Sequence, residues 1–338
     1  MEIVSFERIG VPEWDAFCLT ASEAWMRHTS EFLAFAQTLG GEGRDASFAI
    51  VREDNIIAVV PLVIQKIGDS EAREFAMGGT PIPFPALCDG LTEQERHEIY
   101  ARIFNEIDGR AREHAISLLR MFLDPLTNSI LEKKHKTNPL LLFGFNDTSA
   151  QTSSVDLSKS EDELLSHIQA RQRRYIRAAL ALGYIVEFFD EKNITNEICT
   201  AFEKLYEKAA GRVVGTPERW EMTWDMVRKG MSIVLLVRVS GETEYCAGHV
   251  VMTYKEKAYD MLSAIAPSHR SIRGIGALMH WEIFSFLKRR GFSRHEVGWI
   301  LPETSEEAYS KKELDISHFK SLFGGELLPL WRGEKLYP

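Results

Sequence analysis

A stretch of small polar residues near the middle of the chain, FNDTSAQTSS at 145–154, divides the sequence into two halves. It has no apolar periodicity, which is typical of a connection between folded units. On each side, helical and strand-like patterns follow the same order: helices, then a run of strands, then a loop and a further helix. We therefore predict an α/β protein with mixed (α+β) sheets and two domains, at residues 1–150 and 151–326.

Three segments carry the clearest patterns of secondary structure. The amphipathic stretch at 93–114 predicts a helix, because its apolar residues recur at the helical period. The stretch at 160–183 predicts one long helix, since Ser160 can cap it and acidic residues fill its first turn. The apolar run PLLLFGFND at 139–147 predicts a strand.

Composition excludes several classes of protein. Hydrophobic residues make up 45% of the chain and charged residues 26%, as in ordinary globular proteins. The formal net charge of -9 argues against a broad nucleic-acid surface and against DNA as a partner, although a local basic patch is still possible. Four scattered cysteines, with no C-x-x-C or paired His/Cys spacing, favour reduced thiols and no metal site.

The chain also lacks the patterns of secreted and membrane-spanning proteins. Its N-terminal sequence has no basic segment followed by an apolar one, so we predict no signal peptide. No apolar stretch reaches the length of a membrane span. We therefore expect a cytoplasmic protein, for which peripheral contact with a membrane is possible.

A glycine-rich turn lies between the strand-like KAYDMLSAI and the helical ALMHWEIFSFLKRR. The start of a helix exposes unpaired N–H groups with partial positive charge, and glycines there allow a phosphate to approach. The turn lacks the G-K-[ST] of a P-loop and the third glycine of a dinucleotide site, so packing alone is the alternative explanation. The candidate residues for binding a pyrophosphate are Arg270, Ser271, Arg273, Gly274, Ile275 and Gly276.

The stretch SIRGIGAL resembles the acyl-CoA pyrophosphate loop of the GNAT acyltransferases, although Ser271 stands where that family has Gln or Arg. Three further segments resemble, in order, the FemAB-like branch, which includes the CelD-type proteins. They are AWMRHTSEFLAFAQ, SVDLSKSEDELLSHIQARQRRYIRAALALGYIVE and ISHFKSLFGGELLPLWRG. The resemblance implies two tandem GNAT-like acyltransferase domains, with a last strand at about 327–338 that pairs with the first domain.

Acyl transfer to an amine needs a bound donor, a neutral amine and fixed groups that stabilise the developing oxyanion. The resemblance makes Lys320 a candidate to contact a phosphate or that oxyanion, although a lysine between two phenylalanines often only extends its charge to solvent. His249 lies on a strand and points either to the core or to a central cleft. Asp260 lies at a strand position that could face this cleft, where it could accept a proton from the amine. His280 is predicted to pack.

Two pairs of residues are candidates for binding the acceptor. Arg174 and Arg177 are three residues apart and share a helix face, which is either a solvated basic surface or a site for acceptor phosphates. The resemblance favours the second interpretation. Trp25 and His28 precede the first-domain helix and could line an acceptor groove, with a core position as the alternative for Trp25.

These observations together predict an N-acyltransferase. It would move an acyl group from acyl-CoA to the amine of a small or lipid-linked acceptor, such as a sugar-, nucleotide- or lipid-linked precursor of the cell envelope. Two alternatives stay open. One is a Fem-like peptidyltransferase of peptidoglycan bridge synthesis, which would use aminoacyl-tRNA and so have tRNA as a partner. The other is a non-catalytic binding protein that keeps the fold.

Overall fold

The structure, a computed structural model, describes residues 1–39, 43–68, 70–133, 135–272, 274–301 and 309–338. It divides into two compact units. The first unit combines Met1–Ala150 with Pro329–Pro338, and the second unit is Gln151–Leu328. Within the described residues, every helix is too short or too polar to span a lipid bilayer.

The first unit consists of helices around two sheets. Its helices are α1 (Phe6–Ile9), α2 (Val11–Thr20), α3 (Ser30–Leu39), α4 (Glu93–Glu113) and α5 (Asn128–Leu131), with 3-10 turns at Met26–His28 and Pro139–Phe143. Its strands are β1 (Glu2–Ser5), β2 (Arg44–Asp45), β3 (Phe48–Arg52), β4 (Asn55–Val60), β5 (Val63–Lys66), β6 (Arg73–Phe75), β7 (Ile82–Pro83), β8 (Ala86–Leu87), β9 (Ile116–Phe122) and β10 (Asn146–Asp147). One sheet has the order β1-β3-β4-β8.

The other sheet of the first unit contains the last strand of the chain, β18 (Arg332–Leu336), in the order β10-β18-β9-β6-β5-β2, with β7 beside β9. Strand β18 runs antiparallel to β9. A side chain at Gly333 would come within 2.9 Å of Phe145, so the close approach of β18 requires a glycine there. Asp108 on α4 accepts hydrogen bonds from Lys335 Nζ at 2.8 Å and from the Tyr337 hydroxyl at 2.7 Å.

The second unit is built on one sheet, whose order in the described residues is β12-β13-β14-β15-β16-β11-β17. Its strands are β11 (Ala150–Asp156), β12 (Tyr184–Phe189), β13 (Ser232–Val239), β14 (Tyr245–Tyr254), β15 (Lys257–Ile265), β16 (Arg294–Ile300) and β17 (Glu326–Leu330). Its helices are α6 (Glu161–His167), α7 (Ala170–Ala181), α8 (Asn196–Ala210), α9 (Pro217–Arg228), α10 (Ile275–Arg289) and α11 (Lys311–Ser321).

Helices cover both faces of this sheet, so its central strands are apolar on both sides. Leu235 and Val237 of β13 join the core that includes α10, whereas Val234 and Leu236 join a second core with α8 and α9. Successive side chains of a strand point to opposite faces, which explains this division. The resulting layers place the central strands of the sheet between helices.

The predicted single helix at 160–183 is wrong, because the chain leaves the helical conformation at Ile168. Ile168 adopts extended dihedrals (φ -65°, ψ 135°) and is buried in the core. The N–H of Gln169 donates to the carbonyl of Leu322 at 3.0 Å. The Arg173 guanidinium donates to the carbonyls of Ser166 and Ile168. Tertiary contacts therefore divide the segment into α6 and α7.

The strand predicted at 139–147 is also wrong over most of its length. Pro139 begins a 3-10 turn, and the Asn138 side chain caps that turn by accepting from the N–H of Leu140 at 3.0 Å. Gly144 ends the turn in the left-handed conformation, and only Asn146–Asp147 form a strand. The helix predicted at 93–114 agrees closely with α4.

Candidate functional site

Strands β15 and β16 run parallel at first and then separate. They pair over three positions, from Lys257↔Arg294 to Tyr259↔Glu296, and the described residues beyond these form no further pairs between the two strands. At the same point, the register between β14 and β15 shifts by one residue, a β-bulge at Met261. Residues 257–259 are buried, whereas 260–263 are partly or fully exposed. An opening in the sheet therefore begins at Asp260.

Asp260 lies at the start of this opening between two buried histidines. His295 of β16 has its Nε2 2.8 Å from Asp260 Oδ1, and His249 of β14 has its Nε2 3.2 Å from the same oxygen. Burial alone would raise the pKa of Asp260, but its interactions with the imidazoles of His249 and His295 outweigh this effect. The pKa of Asp260 is therefore well below its ordinary value, and the carboxylate stays ionised.

A third histidine extends this group. The His280 ring, from α10, lies 5.4 Å from the His249 ring, and it packs against Phe323 and Phe319 at 4.6 and 5.6 Å between centroids. Burial lowers the pKa of His280 to about 3. His280 is therefore a neutral imidazole at physiological pH.

All three imidazoles have a ring nitrogen that finds no partner in the described part of the chain. These atoms are Nδ1 of His249, His280 and His295, and each is buried. A buried polar atom without a hydrogen bond costs about 1–3 kcal/mol, so native proteins rarely leave such atoms unpaired. We expect ordered water, or a polar atom of a substrate, against these nitrogens.

Lys320 reaches the same neighbourhood from α11. Its Nζ lies against Gly298 of β16, where an added Cβ would collide with the ammonium group. Gly298 also has a φ of 109°, which side chains disfavour. The charge of Lys320 contributes to the low pKa of His280. The structure therefore brings together the three residues that the sequence suggested for catalysis, Lys320, Asp260 and His249, around His280.

Sequence reasoning missed two members of this group, His295 and Gly298. Both lie in RHEVGWI, the sequence of β16. A glycine inside a strand pattern often marks the close approach of another group, so Gly298 carried a usable signal. His295 carried none, because its role depends on parallel pairing with β15, which has no local signature.

The glycine turn before α10 is closely packed. A side chain at Gly274 would come within 2.5 Å of the carbonyl oxygen of Tyr175 on α7, and its φ is 110°. A side chain at Gly276 would come within 3.2 Å of the Phe319 ring. Both glycines therefore allow neighbouring elements to approach α10, which is the packing explanation considered above.

The other predicted pyrophosphate-binding residues have varied surroundings. The Arg270 guanidinium donates to the carbonyls of Ile265 and of Ala209, near the end of α8. Ser271 is exposed, whereas Ile275 is buried in the core. Arg273 lies outside the described residues.

Arg174 and Arg177 lie on the exposed side of α7, away from its buried residues Gln172, Ile176 and Ala179. Exposed guanidinium groups on one helix face are compatible with both interpretations given above, a solvated surface and a site for phosphates.

Trp25 and His28 line a cavity of about 670 Å³ within the first unit. Both side chains are largely buried. The backbone N–H of Trp25 donates to His28 Nδ1 at 3.3 Å, and His28 Nε2 lies 2.9 Å from the carbonyl oxygen of Phe84. These bonds fix the imidazole at the wall of the cavity.

Residues 166–309 match the family model described as an acetyltransferase (GNAT) domain. The second unit is a GNAT acyltransferase domain. The opening between two parallel strands, followed by a glycine turn and α10, therefore belongs to an acyltransferase, and the predicted enzyme class is confirmed. No curated protein matches the chain.

Solved structures extend the likeness over both units. FemX is 13% identical, with a TM-score of 0.73 over 100% of this chain and 98% of FemX. L-PGS from Bacillus licheniformis is 13% identical, with a TM-score of 0.59 over 96% and 91%. A tandem GNAT protein from the clavulanic acid biosynthesis pathway is 12% identical, with a TM-score of 0.56 over 100% and 99%.

At these identities the solved structures establish a shared fold. They confirm the predicted fold class, two tandem GNAT-like domains with mixed sheets, and the FemAB-like architecture. Within the described part of the chain, no group of three or more His, Cys, Asp or Glu side chains is arranged to hold a metal ion.

Proposed function

We propose that this GNAT acyltransferase is an N-acyltransferase that moves an acyl group from acyl-CoA to the amine of an acceptor. The observation that supports this most strongly is the position of Asp260. Its carboxylate and two imidazoles lie where β15 and β16 separate, and Lys320 approaches the same place. A proton acceptor and a cation beside an opening are the two groups that amide formation needs.

In the proposed reaction, the neutral acceptor amine attacks the acyl carbonyl. A C–N bond forms, the bond from the carbonyl to the leaving group breaks, and the leaving thiolate is protonated. Because the pKa of Asp260 is low, this carboxylate is a weak base. We therefore assign proton uptake to His249 Nδ1, through water, with Asp260 holding the other nitrogen and stabilising the imidazolium. The Lys320 ammonium stabilises the oxyanion.

Aminoacyl-tRNA is a second candidate donor, and the packing of the glycine turn leaves it open. Gly274 and Gly276 are needed for packing against α7 and Phe319, so these glycines do not by themselves indicate a pyrophosphate site. The Arg270 guanidinium already donates hydrogen bonds to two backbone carbonyls, which also argues against its binding a pyrophosphate. An aminoacyl ester would undergo the same attack, with a ribose hydroxyl as the leaving group.

The proposed acceptor is an amine of a sugar-, nucleotide- or lipid-linked cell-envelope precursor, used in the cytoplasm. Exposed Arg174 and Arg177 would bind its phosphates, since guanidinium groups pair well with phosphate oxygens.

The first experiment measures thermal stability with acetyl-CoA, a longer acyl-CoA, free CoA and an aminoacyl-tRNA in turn. A donor that binds the native state raises the midpoint by an amount set by its concentration relative to its Kd. A rise with acyl-CoA alone supports the first donor, and a rise with aminoacyl-tRNA alone replaces it with the second. A substitution at Gly276 would press on Phe319 and therefore could not isolate a pyrophosphate contact.

The second experiment measures transfer to a panel of amines, with wild-type protein, Asp260→Asn and Lys320→Ala. We expect each variant to lower kcat about 100-fold or more, because each removes a charge used in the transition state. Lys311→Ala is the matched control, since Lys311 is an exposed lysine of the same helix. Full activity in both variants would show that the reaction takes place elsewhere.

A further inference from the structure

The first unit contains a cavity that the transfer chemistry described above does not use. It encloses about 670 Å³, and its described lining residues all belong to segments between Ser22 and Phe143. This volume is in the range of small-molecule sites. It lies entirely within one unit and is therefore formed without the second unit.

One wall of the cavity is aromatic. Phe84, Tyr100 and Phe143 form a triangle of rings, with centroid distances of 5.0 Å, 5.8 Å and 6.1 Å. All three side chains are partly exposed. Aromatic faces of this kind bind the C–H faces of a ring and attract cations.

The cavity is also acidic. Among its described lining residues, the carboxylates are Glu23, Glu93, Asp124 and Glu132, and the guanidinium is Arg96. Glu23 is neutralised by Arg96, whose Nη2 lies 2.5 Å from Glu23 Oε1. Glu93 adds negative charge beside the same Arg96. Burial raises the pKa of Tyr100, and the charges of Glu23 and Glu93 raise it further. This field attracts a cation and repels a phosphate.

Small polar groups complete the lining. Thr127, Asn128 and Ser129, at the start of α5, present hydroxyl and amide groups, and Thr127 Oγ1 lies 3.1 Å from Ser129 Oγ. Hydroxyl and amide groups beside carboxylates suit a ligand that carries several hydroxyls.

We propose that this cavity binds an amino sugar whose amine is protonated and which carries no phosphate in the cavity. The sugar ring lies on the aromatic wall, its hydroxyls bond the polar groups at the start of α5, and its ammonium is held by the carboxylates. This inference goes beyond the proposed function, because the cavity binds its ligand in the first unit, whereas the proposed transfer residues Asp260 and Lys320 lie in the second.

The test is saturation-transfer NMR and calorimetry on the full chain without any acyl donor, so that binding is measured apart from transfer. The probes are glucosamine, N-acetylglucosamine, glucosamine 6-phosphate and choline. We expect glucosamine to bind at least about tenfold more tightly than its N-acetyl form, which lacks the charge, and than its phosphate.

Glu93→Gln keeps the shape of the side chain and removes its charge, and it should weaken glucosamine binding about tenfold. The matched control is Glu98→Gln on the same helix, because Glu98 is exposed and does not line the cavity. An equal loss in both variants would overturn the proposed site, since a general charge effect would then explain binding.

The outcomes separate this inference from the proposed function. Transfer to other amines without glucosamine binding overturns the inference and leaves the acyltransferase chemistry intact. If glucosamine binds and Glu93→Gln weakens this binding, the cavity is supported as the binding site, even if the enzyme does not use acyl-CoA. If choline binds and glucosamine does not, the proposal of a sugar ligand is overturned, and the cavity recognises an ammonium group alone.

Discussion

Asp260 shows how neighbouring side chains determine what a carboxylate can do. An isolated buried carboxylate takes up a proton, whereas His249 and His295 keep this one ionised. Its charge is therefore a fixed part of the opening at every physiological pH. The sequence suggested Asp260 as a proton acceptor, whereas the function proposed above makes it the partner of one.

His280 should make the second unit sensitive to acid. Its pKa is about 3 when folded and about 6.5 when unfolded, so the unfolded chain binds the extra proton between these values. Stability should fall as the pH drops through this window, by up to about 1.4 kcal/mol per pH unit. Asp260, with its lowered pKa, loses its contribution only below about pH 3.8.

Urea unfolding between pH 4.5 and 6.5 can measure this effect. His280→Phe should flatten the dependence by about one proton, because the phenyl ring suits the neighbouring Phe319 and Phe323 and does not titrate. His249, His295 and Lys320 also face His280 and are unchanged in the variant. The control is His318→Phe, at an exposed position. An unchanged slope in His280→Phe would show that another group is responsible.

Gly298→Ala should displace Lys320 without changing any charge. The new Cβ would occupy the place of Lys320 Nζ, so we expect kcat to fall about as far as in Lys320→Ala. The strained backbone should also cost about 1–3 kcal/mol.

Gly291→Ala is the control, because Gly291 also has a positive φ (86°) but nothing within 4 Å of an added Cβ. It should lose stability and keep its kcat. Transfer assays and thermal melts on both variants decide the question, and full activity in Gly298→Ala would remove Lys320 from the reaction.

At the scale of elements, the break between α6 and α7 depends on the segment that follows α11. A side chain at Gly324 would come within 2.4 Å of the carbonyl oxygen of His167, the last residue of α6. The glycine pair in the sequence FGG therefore lets β17 start directly beside the break, and the Leu322 carbonyl bonds Gln169 there. The FGG segment was first identified by its resemblance to a family, and the packing of Gly324 against the end of α6 explains why a glycine is needed there.

Gly324→Ala should therefore destabilise the second unit by more than about 3 kcal/mol, since the clash is with backbone and φ is 72°. Gly211→Ala, at the end of α8, is the control, because it has a similar φ of 71° and nothing within 4 Å. Denaturant unfolding compares the two. Equal losses would mean that the contact between Gly324 and the break contributes nothing.

The sequence predicted elements better where local signals decide the structure. Helix α4 has a capping box at Thr92 and Glu95 and a regular apolar face, and its position was predicted closely. The break at Ile168 depends on a carbonyl more than 150 residues later, so no local pattern predicts it. The candidate site likewise combines residues that the sequence suggested with residues, such as His295, that it did not. Lys320, Asp260 and His249 were suggested from sequence, and their roles stay predictions.

At the scale of the whole molecule, the first unit is completed by the end of the chain. Strand β18 lies between β10 and β9, and no other described strand pairs with β10. The expectation of a returning strand came from family resemblance, because a short strand such as RGEKL has no pattern that identifies its partner. The confirmed fold class was likewise predicted from resemblance and from the order of elements.

Removing residues 331–338 should unfold or loosen the first unit and leave the second unit folded. The deletion takes away both the strand and the bonds from Lys335 and Tyr337 to Asp108. Hydrogen exchange should show fast exchange in β9 and continued protection in β13 and β14. Lys335→Ala, which keeps the strand, should cost only about 1 kcal/mol. Protection of β9 in the shortened chain would contradict this prediction.

This connectivity also sets an order for folding during synthesis. The ribosome makes residues 151–328 after the main part of the first unit and before β18. The second unit therefore has its full sequence first, although domains usually fold from the N-terminus onward. Until β18 emerges, the nascent first unit carries an open edge at β9, the kind of edge that chaperones protect from aggregation.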